Sequence, residues 1–79
     1  MRVRIRLDTI TDIAHFVLAV HQATGKEDKV YVTAGERICM DAKSFLGLIA
    51  TKEFNELWCE SEKDIYTKIK DFVVEEDIQ

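Results

Sequence analysis

The chain has 79 residues and a formal net charge of −4; 47% of its residues are hydrophobic and 33% are charged. This composition is typical of one small globular domain, residues 1–79, with little stability to spare. The acidic balance argues against a nucleic-acid partner, and the apolar runs are too short for membrane insertion. Because Met1 is followed by alternating arginines rather than an apolar leader, we expect a cytoplasmic protein.

The first predicted elements are a strand and a helix. Residues 2–7 alternate strictly between arginine and an apolar residue, which indicates a half-buried strand. Asp8, Thr9 or Thr11 can cap the helix that follows, because each offers a short side-chain oxygen. The helix should end near Thr24-Gly25, where glycine would supply a left-handed cap. Its predicted apolar stripe comprises Ile10, Ile13, Ala14, Val17 and Val20, with Phe16 and Leu18 on the flanks.

Two histidines lie on this predicted helix. His15 falls opposite the apolar stripe, whereas His21 falls near the C-terminal end, where the helix dipole favours a cation. Either imidazole could act as a general base or a phosphoryl acceptor. The sequence places no serine, cysteine or carboxylate to assist either of them. We therefore favour the interpretation that neither histidine has a catalytic role, His15 being a surface residue and His21 a residue at the C-terminal end of the helix.

A hairpin and a short helix are predicted next. Residues 30–34 and 37–41 alternate as two strands, joined at Ala34-Gly35-Glu36, where glycine permits the special backbone angle. Asp41 or Ser44 can cap a helix of about two turns. The residues that follow are nearly all apolar: Phe45, Leu46, Leu48 and Ile49, interrupted by Gly47.

The last predicted elements are a fourth strand and a second long helix. Residues 56–60 alternate, with Trp58 away from the helices, where it could be a binding anchor or could lie over arginine side chains. Ser61-Glu62-Lys63-Asp64 resembles a capping box. An amphipathic stripe then comprises Ile65, Ile69, Phe72 and Val73, with Tyr66 beside it. The acidic end, residues 75–79, should fray because the helix dipole disfavours it.

These elements predict an α+β fold, an open-faced β-sandwich of order β-α-β-β-α-β-α. Three helices, two long and one short, would cover one face of a four-stranded antiparallel sheet. Cys39 and Cys59 are too few for a disulfide framework and predict two reduced thiols. We expect no metal site, no cofactor and no enzymatic activity, since no nucleophile with a base and no paired carboxylates occur at a suitable spacing.

Two segments carry a resemblance to a known family. They are Ala14-His15-Phe16-Val17 and, more specifically, Asp41-Ala42-Lys43-Ser44-Phe45-Leu46-Gly47-Leu48. With the element order, they resemble HPr, the histidine-containing phosphocarrier of the bacterial sugar phosphotransferase system. The family's carrier histidine stands in a Gly-Leu-His-x-Arg-Pro-Ala-type loop, whereas this chain has Thr9 at that position. Asp8 and Asp12 place negative charge where a phosphoryl group would bind. The resemblance therefore implies an HPr-like fold that has lost carrier chemistry.

The same resemblance implies a regulatory role. It places Ser44 at the family's regulatory serine, which a serine kinase could phosphorylate, with Lys43 beside it and Asp41 opposing it. It assigns partner docking to Phe45, Leu46, Leu48 and Ile49, and partners among phosphotransferase-system or regulatory proteins. We expect a monomer or weak dimer. Two alternatives stay open: a true phosphoryl carrier that uses His15 or Thr9, and a module that binds a small ligand.

Overall fold

A computed structural model describes residues 1–75 of the chain. The predicted fraying of the acidic C-terminal end falls largely on residues 76–79, outside the described residues. The elements are β1 (Arg2–Ile5), α1 (Ile10–Ala23), β2 (Val30–Ala34), β3 (Ile38–Asp41), α2 (Phe45–Ile49), β4 (Leu57–Ser61) and α3 (Tyr66–Ile69). Short 3₁₀ turns at Ala50–Glu53 and Lys70–Phe72 follow α2 and α3. No helix in this part of the chain is long and apolar enough to cross a membrane.

The four strands form one antiparallel sheet in the order β1-β4-β2-β3. Alternate strand residues point to one face, and these are the buried ones, as the period of two predicts. The sheet side chains of the core come from three strands: Ile5, Val30, Val32, Ala34, Leu57 and Cys59. The predicted α+β fold, with a four-stranded antiparallel sheet and three helices, is therefore confirmed in outline.

Helix α1 begins at the threonine that the sequence offers as a cap. The Thr9 hydroxyl accepts the Asp12 N–H, and the Asp12 carboxylate accepts the Thr9 N–H, which completes a capping box. The predicted left-handed glycine cap at the other end is wrong, because among the described residues only Gly35 has a positive φ. Instead, the Thr24 hydroxyl donates to the Val20 carbonyl at 2.7 Å. A side-chain bond thus replaces the glycine turn.

The buried stripe of α1 is rotated from the predicted one. Phe16, expected on the flank, is fully buried with Ile13 and Val20, while Ile10 is about half exposed and Ala14 is exposed. The Phe16 ring packs edge-on against Phe72, with the ring centroids 5.5 Å apart. The largest apolar side chain therefore sets which face of the helix turns inward, since it buries the most area.

The predicted second long helix is wrong in length. Helix α3 has only four residues, its N-cap residue Ile65 makes no side-chain cap bond, and Ser61 belongs to β4. After the 3₁₀ turn the chain extends along β1, where the Arg6 N–H donates to the Phe72 carbonyl at 2.8 Å. The Val74 N–H donates to the Arg4 carbonyl at 2.9 Å. The C-terminal segment therefore covers the β1 edge of the sheet.

Candidate functional site

Helix α2 begins at Ser44, one of its two predicted caps. The Ser44 hydroxyl accepts the Gly47 N–H at 3.1 Å. The other candidate, Asp41, belongs to the preceding turn: its carbonyl accepts the Ser44 N–H at 3.0 Å. The Asp41 carboxylate accepts the Lys43 N–H at 2.8 Å. These bonds fix the direction in which α2 leaves strand β3.

The residue before the cap ties α2 to the loop between α1 and β2. The Lys43 ammonium donates to the carbonyls of Gly25 and Asp28, both at 2.8 Å. The Asp28 carboxylate accepts the Gly25 N–H at 2.8 Å, and this bond is the main reason that the pKa of Asp28 is lowered. The His21 ring nitrogen Nε2 lies 3.4 Å from the Lys43 carbonyl. The start of α2 is therefore held from two sides.

The apolar residues of α2 divide into buried and exposed positions. Leu46 is 79% exposed, while Phe45 and Ile49 are half-buried and pack against the core. We call Phe45, Leu46 and Ile49 the α2 surface. Leu48, the fourth predicted docking residue, is fully buried, so its assignment to partner docking is wrong. A helix of five residues has one buried side, and Leu48 faces it.

A further exposed leucine lies on the neighbouring helix. Leu18 is 55% exposed and stands three residues before His21, whose ring reaches the start of α2. Residues three apart are neighbours on a helix surface. Leu18 therefore lies on the flank of α1 that adjoins α2. The sequence placed Leu18 beside the stripe but did not mark it as a site residue. Its position as an apolar residue off the buried stripe was the signal that could have indicated an exposed docking residue.

The position that the resemblance assigns to the carrier residue is a helix cap. Thr9 exchanges bonds with Asp12, and the Asp12 carboxylate also accepts the Asp8 N–H at 3.0 Å. The Asp12 carboxylate thus already occupies the N–H groups of Asp8 and Thr9, directly before the first turn of α1. Its negative charge at this end of α1 disfavours the binding of an anion there.

His15 is exposed, as the sequence predicts, but its surroundings are acidic. It borders a surface depression that Asp8, Asp12 and Asp71 also line. Arg6 borders the same depression, and its Nε lies 2.9 Å from the Asp8 carboxylate. The arginine that borders this depression is therefore already paired with a carboxylate.

Trp58 lies on the sheet face away from the core. The Arg2 guanidinium carbon lies 4.1 Å from the centroid of the indole ring. The indole N–H donates to the Glu56 carboxylate at 2.9 Å. Of the two interpretations that the sequence left open, the geometry favours a tryptophan covered by an arginine over a free binding anchor.

Both cysteines are free thiols, and they differ in environment. Cys39 is exposed on β3, whereas Cys59 is fully buried on β4, and burial raises its pKa to about 12. A metal site is a separate question from the state of the two thiols. Among residues 1–75, no group of three His, Cys, Asp or Glu side chains is arranged to hold a metal ion. The α2 surface carries the most exposed large apolar side chain of residues 1–75, Leu46, and is the strongest candidate for a functional site.

No family model matches the chain, and no match is found among curated proteins or solved structures. Relatives therefore assign it no function. The HPr resemblance stays a prediction that depends on the two segments quoted above.

Proposed function

We propose that the chain is an HPr-like protein of the phosphotransferase-system family that has lost phosphocarrier activity and acts as a non-catalytic regulatory module. It docks partner proteins through the α2 surface. The exposure of Leu46, at 79%, carries this proposal. When a partner covers an exposed leucine that is flanked by two half-buried apolar residues, the burial of apolar area stabilises the complex.

Three hydrogen bonds hold the start of α2, next to the α2 surface. The Ser44 cap fixes the first turn, and the Lys43 ammonium fixes the residue before it through two carbonyls at 2.8 Å. A surface whose conformation is set before binding loses less conformational entropy on association. Leu46 thus needs no rearrangement of its helix to contact a partner.

Ser44 is the proposed regulatory position. A phosphoryl group on its hydroxyl would add about two negative charges beside Phe45 and Leu46 and so change which partners can dock. Lys43 would not neutralise it directly, because its ammonium is engaged by Gly25 and Asp28. The Asp41 carboxylate lies in the same turn and opposes the added charge. Modification would therefore weaken docking by an apolar partner.

Loss of carrier activity is supported at both remaining acceptor positions. Thr9 uses its hydroxyl to cap α1, and the carboxylate of Asp12 occupies the adjacent N–H groups. His15 shares its surface depression with three aspartates. Negative charge at both positions would repel a phosphorylated donor.

The test is phosphorylation by an HPr-type serine kinase with ATP, followed by intact mass. We expect one phosphoryl group on the wild-type chain and none on Ser44→Ala. Leu46→Ser should lower kcat/KM at least about tenfold, because the kinase loses its apolar contact while Ser44 is intact. Ile10→Ser is the matched control, since Ile10 is an exposed apolar residue. It lies at the N-terminal end of α1, whereas His21, near the C-terminal end, reaches the start of α2.

A second incubation, with a phosphotransferase-system donor and phosphoenolpyruvate, tests the loss of carrier activity. We expect no mass increase. A phosphoryl group that His15→Ala or Thr9→Ala removes would overturn that part of the proposal. Equal kinase rates for Leu46→Ser and Ile10→Ser would overturn the docking role of the α2 surface.

A further inference from the structure

One edge of the sheet is covered by a further segment of the described chain, and the other edge is open. Residues 72–74 pair with β1 through the Phe72 carbonyl and the Val74 N–H, and so cover that edge. Strand β3 forms the other edge and pairs only with β2 in the described part of the chain. An open edge presents unpaired backbone groups that can accept another strand.

The pairing of β2 with β3 shows which backbone groups face outward. The Ala42 N–H donates to the Val30 carbonyl at 2.9 Å. These two residues continue the register of the β2–β3 ladder and form a hydrogen-bonded pair. Because hydrogen-bonded and non-hydrogen-bonded pairs alternate in an antiparallel ladder, Met40 and Ile38 also point their backbone groups at β2. Cys39 and Asp41 therefore point theirs toward the open edge. The Asp41 carbonyl is engaged by Ser44, so its N–H is the group that stays available.

We propose that the open β3 edge is a self-association site, at which a second copy of this chain pairs its own β3 antiparallel to the first about Cys39. In this register each Cys39 lies opposite its copy and exchanges both backbone hydrogen bonds with it. The two Cα atoms would be about 5.5 Å apart, as in any hydrogen-bonded antiparallel pair. The result is one continuous eight-stranded sheet with two-fold symmetry.

Charge complementarity selects this register. Arg37 and Asp41 stand two residues on either side of Cys39, so pairing about Cys39 places Arg37 opposite Asp41 of the second copy, twice by symmetry. Both side chains are exposed. Pairing about Asp41 would oppose two aspartates, and pairing about Met40 would oppose Arg37 and Lys43. Opposed like charges are destabilising in a ladder.

The apolar side chains of the strand agree with the same register. Ile38 and Met40 point to the helix-covered face and are only half-buried. Pairing about Cys39 places Ile38 opposite Met40 of the second copy, so each covers apolar area that the other leaves exposed. A strand of four residues offers a small contact, and we expect a weak, reversible dimer.

The test is the dimer dissociation constant from sedimentation equilibrium, measured for four proteins. They are the wild type, Arg37→Asp, Asp41→Arg, and the chain with both substitutions. Each single substitution opposes like charges twice, and we expect it to raise the dissociation constant about tenfold. The double variant restores opposite charges across the axis and should return to within about threefold of the wild type.

Amide hydrogen exchange locates the contact, because the Cys39 amide should exchange more slowly as protein concentration rises. Circular dichroism of each variant confirms that the fold is retained. A wild-type chain that stays monomeric to about 1 mM would overturn the proposal. So would a dimer whose dissociation constant is the same in all four proteins, or a double variant no better than the single ones.

Discussion

Thr9 and Asp12 hold each other at the start of α1: the threonine hydroxyl accepts the aspartate N–H at 3.0 Å, and the aspartate carboxylate accepts the threonine N–H at 3.2 Å. This exchange satisfies backbone donors that the first turn of a helix leaves without partners. It also occupies the position where the HPr resemblance expects a carrier histidine. The contribution of Thr9 to stability as a helix cap can therefore be measured separately from any phosphocarrier activity.

Thr9→Ala should lower the free energy of unfolding by about 1 kcal/mol, because the cap hydroxyl is lost. Urea denaturation followed by circular dichroism measures this. Thr11→Ala is the matched control, since Thr11 is an exposed threonine inside the same turn, and its substitution should change stability by less than about 0.5 kcal/mol. Equal losses for both variants would show that the Thr9 cap contributes nothing specific.

Lys43→Met should release the loop between α1 and β2, because the ammonium that holds the Gly25 and Asp28 carbonyls is removed while the aliphatic stem is kept. We expect a loss of about 1 kcal/mol in the free energy of unfolding and faster amide exchange in residues 25–28. Lys29→Met, an exposed lysine in the same loop, is the control. Unchanged exchange in Lys43→Met would contradict the anchoring role.

The strands and the starts of α1 and α2 could be predicted from the sequence because their signals are local. Period-two alternation marked all four strands, and short oxygen-bearing side chains marked Thr9 and Ser44 among the candidate caps. Gly35 marked the hairpin turn, and the structure gives this glycine a positive φ. Each of these features depends only on residues adjacent in the chain.

The last helix could not be predicted because a distant contact decides it. Ile65 and Ile69 are buried, as their helical spacing predicts. The helix nevertheless stops, since the backbone of residues 72–74 gains hydrogen bonds from β1, which is far away in the sequence. Periodicity reports which residues are buried, whereas the pairing of an edge strand decides whether the backbone stays helical.

The exposed side of α2 was equally beyond sequence reasoning. Leu46 and Leu48 are both apolar and lie in a helix of five residues, yet one is largely exposed and the other is fully buried. A helix so short has too few turns for a stripe to show in its sequence. Only the packing of α2 against the core separates the two leucines.

Arg2→Met should uncover Trp58, because the guanidinium that lies 4.1 Å from the indole centroid is removed. Trp58 is the only tryptophan of the chain, so its fluorescence reports this site alone. We expect stronger quenching by acrylamide and a loss of about 0.5–1 kcal/mol in stability. Lys68→Met, at an exposed lysine of α3, should change neither quantity. Unaltered quenching in Arg2→Met would show that the arginine does not shield the ring.

The two thiols should differ sharply in reactivity in the folded protein. Cys39 is exposed, whereas Cys59 is fully buried with its pKa raised from 9.0 to about 12. At neutral pH we therefore expect a thiol reagent to modify one cysteine rapidly and the second only after urea unfolds the chain. Mass spectrometry of peptides from the modified protein identifies the site. Rapid modification of Cys59 without denaturant would contradict its burial.

The raised pKa of Cys59 also makes stability depend on pH. Above pH 9.0 the unfolded chain loses this thiol proton while the folded chain keeps it, so the unfolded state binds fewer protons and is favoured. The contribution of Cys59 is therefore fully present below pH 9.0 and falls by about 1.4 kcal/mol per pH unit toward about pH 12. Cys59→Ala is the reference, because the cavity it creates costs the same at every pH, and only the slope difference between the two proteins reports the thiol. Parallel stability curves from pH 8 to pH 11 would show that the folded protein lets the Cys59 thiol ionise as freely as the unfolded chain does.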